Sequence, residues 1–181
     1  MVMAMVSGIP LVWGATADEV ERQYPADAML SGPTITVTRA ISVTAPAALS
    51  YRWLCQLNEA PYSYDLIDHL GRRSPQELTP GADVIEVGDL MMIFDVTEVS
   101  PGRQWSGRIS AAARRIFGEL AVTYAAEPVS ATESRMLCRL VCGRAGPLHA
   151  GRAWALAWGD LVMMRKQLLN LKGLAERDAA R

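Results

Sequence analysis

Tyr62, Ser63, Tyr64 and Asp65 follow one another in the chain, and together they could orient a small molecule. Each tyrosine offers an apolar ring with a hydroxyl at its tip, and such groups fix a ligand in an otherwise greasy pocket. The same residues have a packing explanation, with both rings under a helix and Asp65 capping the next one. Asp65, Asp68 and His69 are spaced so that one turn of helix would set carboxylates beside an imidazole. That is acid/base chemistry in principle. No serine or cysteine nucleophile stands beside them in a recognisable setting, and surface turns produce such groupings by chance.

Three lone charges raise a second possibility. Arg39 and Asp95 each interrupt an otherwise apolar strand face, and Arg108 follows closely on Trp105. A charge facing a core must be paired or must meet a ligand, because an isolated buried ion is costly. A strand twist that moves Arg39 and Asp95 to the rim would remove that cost. Arg108 could hold a ligand carboxylate through two parallel hydrogen bonds; a solvated sheet edge would also accommodate it. Leu90-Met91-Met92-Ile93-Phe94 is apolar on both faces, and it contributes to a total of nine methionines. Flexible thioethers suit an adaptable pocket, and they also fill irregular cores.

The remaining chemistry is mostly excluded. Gly-rich phosphate loops, GxSxG and HExxH are missing from the sequence, against nucleotide, hydrolase and zincin readings. Cys55, Cys138 and Cys142 leave one thiol unpaired in any scheme, and no ligand spacing joins them to His69 or His149. On one strand Cys138 and Cys142 would stand roughly 13 Å apart, too far to bridge. The thiols read as small buried hydrophobes of a reducing cytosol, and neither metal nor cofactor is expected. With 18 basic and 19 acidic residues the net charge is -1, against a nucleic-acid surface. Met1 to Val12 is apolar, but it lacks a basic leader and charged residues follow from Asp18. A frayed start or an upstream start codon is therefore expected, with a cleaved or membrane-associated segment as the alternative. No stretch reaches the roughly 18 apolar residues of a membrane span.

The elements that must position these residues are legible from periodicity. Thr34 to Val43 alternates, with Ile35, Val37, Arg39, Ile41 and Val43 on one face. This predicts a strand with one side on a core and one in water. Pro46 opens a helix carrying Leu49, Trp53 and Leu57, and a second helical piece is expected around Asp65 to Leu70. Strands are then predicted over Asp83 to Val87, Leu90 to Val99, Gln104 to Ile109, Gly118 to Ala126 and Glu133 to Cys142. Their short connections favour antiparallel neighbours. Ala111 to Phe117 fits either a long turn or a helical turn, and Gly143 to Gly151 reads as a loop. Trp154, Ala157, Leu161, Met164, Leu168, Leu171 and Ala175 then form one apolar stripe along a long helix. Only a sheet is broad enough to cover it.

This order, an α+β arrangement, resembles the helix-grip fold of the START / Bet v 1-like (SRPBCC) superfamily of polyketide cyclases and lipid-transport proteins. The local text Thr38-Arg39-Ala40-Ile41-Ser42-Val43-Thr44-Ala45-Pro46-Ala47 is similar to the group's opening strand and helix. Arg52-Trp53-Leu54-Cys55-Gln56-Leu57, Ala60-Pro61-Tyr62-Ser63-Tyr64-Asp65 and Gly71-Arg72-Arg73-Ser74-Pro75 are similar to a bacterial branch of it. The resemblance implies a domain over residues 34–177, behind an N-terminal extension of residues 1–33 and before a short tail. It also implies a cavity between a curved antiparallel sheet and the C-terminal helix. The candidate lining is Tyr62, Tyr64, Met92, Phe94, Trp105, Arg108, Tyr124, Met136, Leu161 and Met164. The expected role is binding or transport of a small hydrophobic molecule in the cytoplasm, by a monomer or a homodimer. The alternatives are a cyclase/aromatase-type enzyme and a module that receives a partner protein in its groove.

Overall fold

The computed structural model describes residues 8–63, 74–144 and 147–181. The alternating segment forms β2 (Thr34–Val43), which pairs antiparallel along its whole length with β7 (Ser134–Gly143). Outward from β7 lie β6 (Leu120–Pro128), β5 (Gln104–Ile109), β4 (Phe94–Ser100) and β3 (Leu90–Met91), each antiparallel to its neighbour. On the other side of β2 a two-residue β1 (Val12–Trp13) pairs with it in parallel, which completes an open seven-stranded sheet. Two short helices, α1 (Ala17–Glu21) and α2 (Pro25–Met29), precede β2. Helix α3 (Ala47–Cys55) and a 3-10 turn (Gln56–Asn58) follow it. Helix α4 (Ala111–Phe117) bridges β5 and β6, so the ambiguous segment is helical. Helix α5 (Pro147–Ala179) closes the chain and packs on the inner face of the sheet.

The stripe on α5 does what its period requires. Ala157, Leu168, Leu171 and Ala175 are fully buried, and Leu161 and Met164 nearly so. It begins one turn later than the period suggests, because Trp154 is 45% exposed. The helix itself begins earlier, at Pro147 within the expected loop, where proline suits a first turn. Trp53 of α3 ties the two helices together, its indole N–H donating to Asp178 at 3.2 Å.

Two strand expectations need correction. Asp83 to Val87 is not a strand: the Glu86 amide is taken by the Asp89 side chain at 2.8 Å, a local turn that competes with ladder pairing. Val84 and Val87 accordingly stay exposed. The run Leu90 to Val99 is broken at Met92, whose φ of 55° turns the chain between β3 and β4. Gly107 marks a close approach: a Cβ there would lie 2.6 Å from the Asp95 carbonyl oxygen, beside the bulge at Val96/Glu98.

The larger correction concerns the outer face of the sheet, expected in water. Thr38 and Ala40 are buried, because residues 8–33 lie across that face. Ala15 and Tyr24 pack on Ala40 and Leu137, and Ala26 packs on Ala121 and Val141. Polar groups pin the cover down. Arg135 grips Glu19 with two bonds of 2.8 Å, and Glu19 also accepts from the Thr16 amide in a capping box. Arg139 donates to the carbonyls of Val20 and Arg22 at the end of α1, with its guanidinium 4.9 Å from the centre of the Tyr24 ring. Thr123 accepts from the Ala26 amide at 3.1 Å, which satisfies a first-turn donor of α2. Burial pushes the Glu19 carboxyl up, but hydrogen bonds from Arg135 and Thr16 outweigh it and leave the pKa below the usual value.

Candidate functional site

Arg39 is fully buried on the inner face of β2, and the expected escape to the rim does not occur. Its period-two position points it at α5, where Asp160 stands 3.2 Å away. The guanidinium also donates to the carbonyls of Pro10 at 2.6 Å, Leu11 at 2.9 Å and Ala157 at 3.2 Å. One side chain therefore joins the opening strand, the N-terminal segment and the long helix. Asp95 behaves as the rim explanation requires, exposed and opposite Arg108 on β5.

Asp160 also lines a cavity of about 710 Å³ between sheet and helix. Phe94, Leu120, Val122 and Leu140 form its sheet wall, and Leu156, Gly159, Met163 and Met164 form its helix wall. Asn58 and Glu59 stand at an exposed rim, next to Pro61 and Ser63. The size lies within the range of small-molecule sites.

The polar groups of this cavity converge. Tyr124 donates its hydroxyl to Gln167 Oε1 at 2.9 Å, with Met164 Sδ at 3.2 Å. Gln167 in turn donates to the Pro61 carbonyl, which ties sheet, helix and rim loop together. Burial pushes the Tyr124 and Cys138 hydrogens well above their ordinary pKa, and the negative field of Asp160 adds to both shifts. Neither the phenol nor the thiol ionises at neutral pH. Burial also raises Asp160, from the ordinary 3.8 to about 6, although Arg39 pulls it down. Among the described residues, Asp160 is a cavity group whose pKa is raised towards neutrality. A carboxyl carbon titration followed by NMR should give a midpoint near 6; a midpoint at 3.8 would show a solvated, unperturbed carboxylate.

Of the ten candidates, Met92, Phe94, Tyr124 and Met164 line this cavity. Trp105 sits behind the wall, fully buried and stacked on Tyr124 with ring centres 4.8 Å apart. Met136 is fully buried core, and Leu161 is buried in the α5 stripe without lining the cavity. Tyr62 is buried, accepts from Gln56 at 3.0 Å and lines a separate hollow beside Ser74. Arg108 is half-exposed and pairs with Glu119 at 3.6 Å, outside the cavity. Tyr64 lies outside the described residues, as do Asp65, Asp68 and His69 with their expected helix.

Asp160, Gln167, Cys138 and Gly159 were not among the candidates. A signal for Asp160 existed. Arg39 and Asp160 are lone opposite charges on the two elements expected to face each other, and each is surrounded by apolar neighbours. Pairing them across the core is what an uncompensated charge on each would demand.

An open antiparallel sheet whose opening strand leads into helices, and whose C-terminal helix lies along the inner face over a cavity, has one name. The fold is a helix grip. Solved structures similar to this chain include the di-domain ARO/CYC BexL from the BE-7585A biosynthetic pathway, at 17% identity and a TM-score of 0.48. That match covers 78% of this chain and 46% of BexL, so the chain spans about half the length of that protein. The Polyketide_cyc-like protein Cgl2372 from Corynebacterium glutamicum is similar at 13% identity and a TM-score of 0.48, over 82% of this chain and 95% of that one. Norcoclaurine synthase from Thalictrum flavum, in complex with dopamine and hydroxybenzaldehyde, is similar at 12% identity and a TM-score of 0.46. That match covers 76% of this chain and 94% of the synthase. No family model and no curated protein matches the sequence. Among the described residues no helix is long and apolar enough to cross a membrane, and no cluster of ligating side chains could hold a metal.

Proposed function

We propose that the chain binds a small, largely apolar molecule between its sheet and α5, with Asp160 as the polar anchor. The observation that supports this most is the 710 Å³ cavity, apolar on both walls, with the carboxyl of Asp160, paired to buried Arg39, in its lining. Met92, Met163 and Met164 give the lining flexible side chains that adapt to a guest. The open space also speaks against the groove-for-a-partner alternative, which requires a collapsed core. Native mass spectrometry of protein purified from its own host tests the proposal. A co-purifying small molecule is expected; a chain that is always empty and accepts no added apolar compound would overturn it.

A guest that displaces water from Asp160 raises its pKa further, so binding takes up a proton. Affinity should therefore rise as the pH falls from 8 towards about 6 and level off below it. Titrations of one neutral ligand at pH 5 and pH 8 check the sign.

A second reading, an enzyme of the cyclase type, is favoured by one observation. Asp160, which exchanges a proton near pH 6, shares its cavity with the Tyr124 hydroxyl. Tyr124→Phe separates the two readings. Weaker binding alone fits a carrier, whereas lost turnover with binding intact fits an enzyme.

A further inference from the structure

A second hollow of about 470 Å³ opens at the end of the sheet where β2 begins and β7 ends. Its lining includes Arg108, Arg114 and Arg144 and one carboxylate, Glu119, which gives a net charge of +2. Phe117, Leu120 and Leu156 line this hollow and the larger cavity alike, so the two spaces lie on either side of these three apolar side chains.

Glu119 is held in a fixed place. The Gly143 amide donates to its carbonyl at 2.8 Å, and a Cβ on Gly143 would stand only 3.0 Å from the Glu119 Cβ. From there its carboxylate reaches Arg114 at 3.2 Å and Arg108 at 3.6 Å. Two guanidiniums are thereby turned towards one point, and Arg144, next after β7, belongs to the same lining. Guanidiniums match carboxylate and phosphate oxygens in a two-pronged geometry, and one glutamate cannot satisfy three of them. An anion placed here stays partly hydrated, so it avoids the heavy cost of burying a charge.

We propose that this hollow is the mouth of the cavity and holds the anionic head, a carboxylate or phosphate, of an amphipathic ligand. The apolar body of that ligand passes Phe117, Leu120 and Leu156 into the larger space. The inference rests on the binding role proposed above and adds the chemical class of the guest.

Four probes of one chain length test it on the full chain: dodecanoate, dodecyl phosphate, dodecanol and dodecyltrimethylammonium. Each displaces the neutral reporter N-phenyl-1-naphthylamine at fixed ionic strength. At least one anion should bind roughly ten-fold more tightly than dodecanol, as expected for one added charge-assisted contact. The preferred anion names the head group. Added salt should shrink the preference, and the Arg114→Gln/Arg144→Gln variant should abolish it while still binding dodecanol. Both positions are exposed, so each single variant also serves, with a partial loss. Equal affinity for dodecanol and both anions, or a preference that survives the double variant, would overturn the mouth and leave the cavity standing. Failure of all four probes to bind would instead overturn the cavity reading and this inference with it.

Discussion

Replacing Arg39 with methionine is expected to lower folding stability by about 3–5 kcal/mol, the usual cost of breaking a buried pair from one side. The variant keeps the volume of the stem but leaves the Asp160 carboxylate without its cation. It also strips the carbonyls of Pro10, Leu11 and Ala157 of a donor. Denaturant midpoints measure the loss. Arg39→Met/Asp160→Leu should recover much of it, since removing both ions leaves neither unpaired. The sign of the pH dependence follows from the raised pKa of Asp160. A carboxyl with a folded-state pKa above its unfolded value favours folding at low pH, and that contribution disappears as the pH rises from 3.8 through about 6. Without Arg39 the carboxyl shifts higher still and enters the core neutral. The penalty should accordingly be smaller at pH 5 than at pH 8.

Glu19→Ala carries the next largest expected effect, again about 3–5 kcal/mol, because the Arg135 guanidinium is almost wholly enclosed and loses both carboxylate bonds. Here the consequence is regional as well. Residues 8–33 should lose amide protection first, and the apolar outer face around Ala40, Leu137 and Val141 should begin to bind a hydrophobic dye. Glu19→Leu/Arg135→Leu is the compensating control. A small loss for Glu19→Ala, with protection of residues 8–33 unchanged, would show that apolar packing alone holds the cover.

Much of the architecture was legible because it rests on periodicity. The alternation of Thr34 to Val43 and the stripe from Ala157 to Ala175 each specify a buried face, and a long stripe admits few partners other than a sheet. The outer cover was not legible for a physical reason. The threonines on the outer face of β2 read as solvent-facing, yet Thr38 accepts from Arg139, and Thr123 of β6 accepts from the Ala26 amide, under residues 8–33. Hydroxyls that satisfy a covering segment look in sequence like hydroxyls that meet water. The site was read in part. Met92, Phe94, Tyr124 and Met164 came from apolar and aromatic character, which a cavity wall shares with a core. That same ambiguity misplaced Trp105 and Met136 by one layer. Asp160 escaped notice because its pairing with Arg39 spans 121 residues and depends on which faces meet.

The central claim is that the space beneath α5 admits a guest, and Gly159 gives the most direct test. It lines the cavity, and a Cβ built on it meets nothing within 4 Å. Gly159→Phe adds a ring to the helix wall of the cavity while improving helix propensity by about 0.5 kcal/mol. Titrating N-phenyl-1-naphthylamine into wild type and variant, with melting curves for both, is the measurement. Saturable binding to wild type, at least roughly ten-fold weaker binding to the variant and an undiminished melting temperature are the expected result. Equal binding by a well-folded Gly159→Phe chain, or no binding by wild type, would contradict the claim.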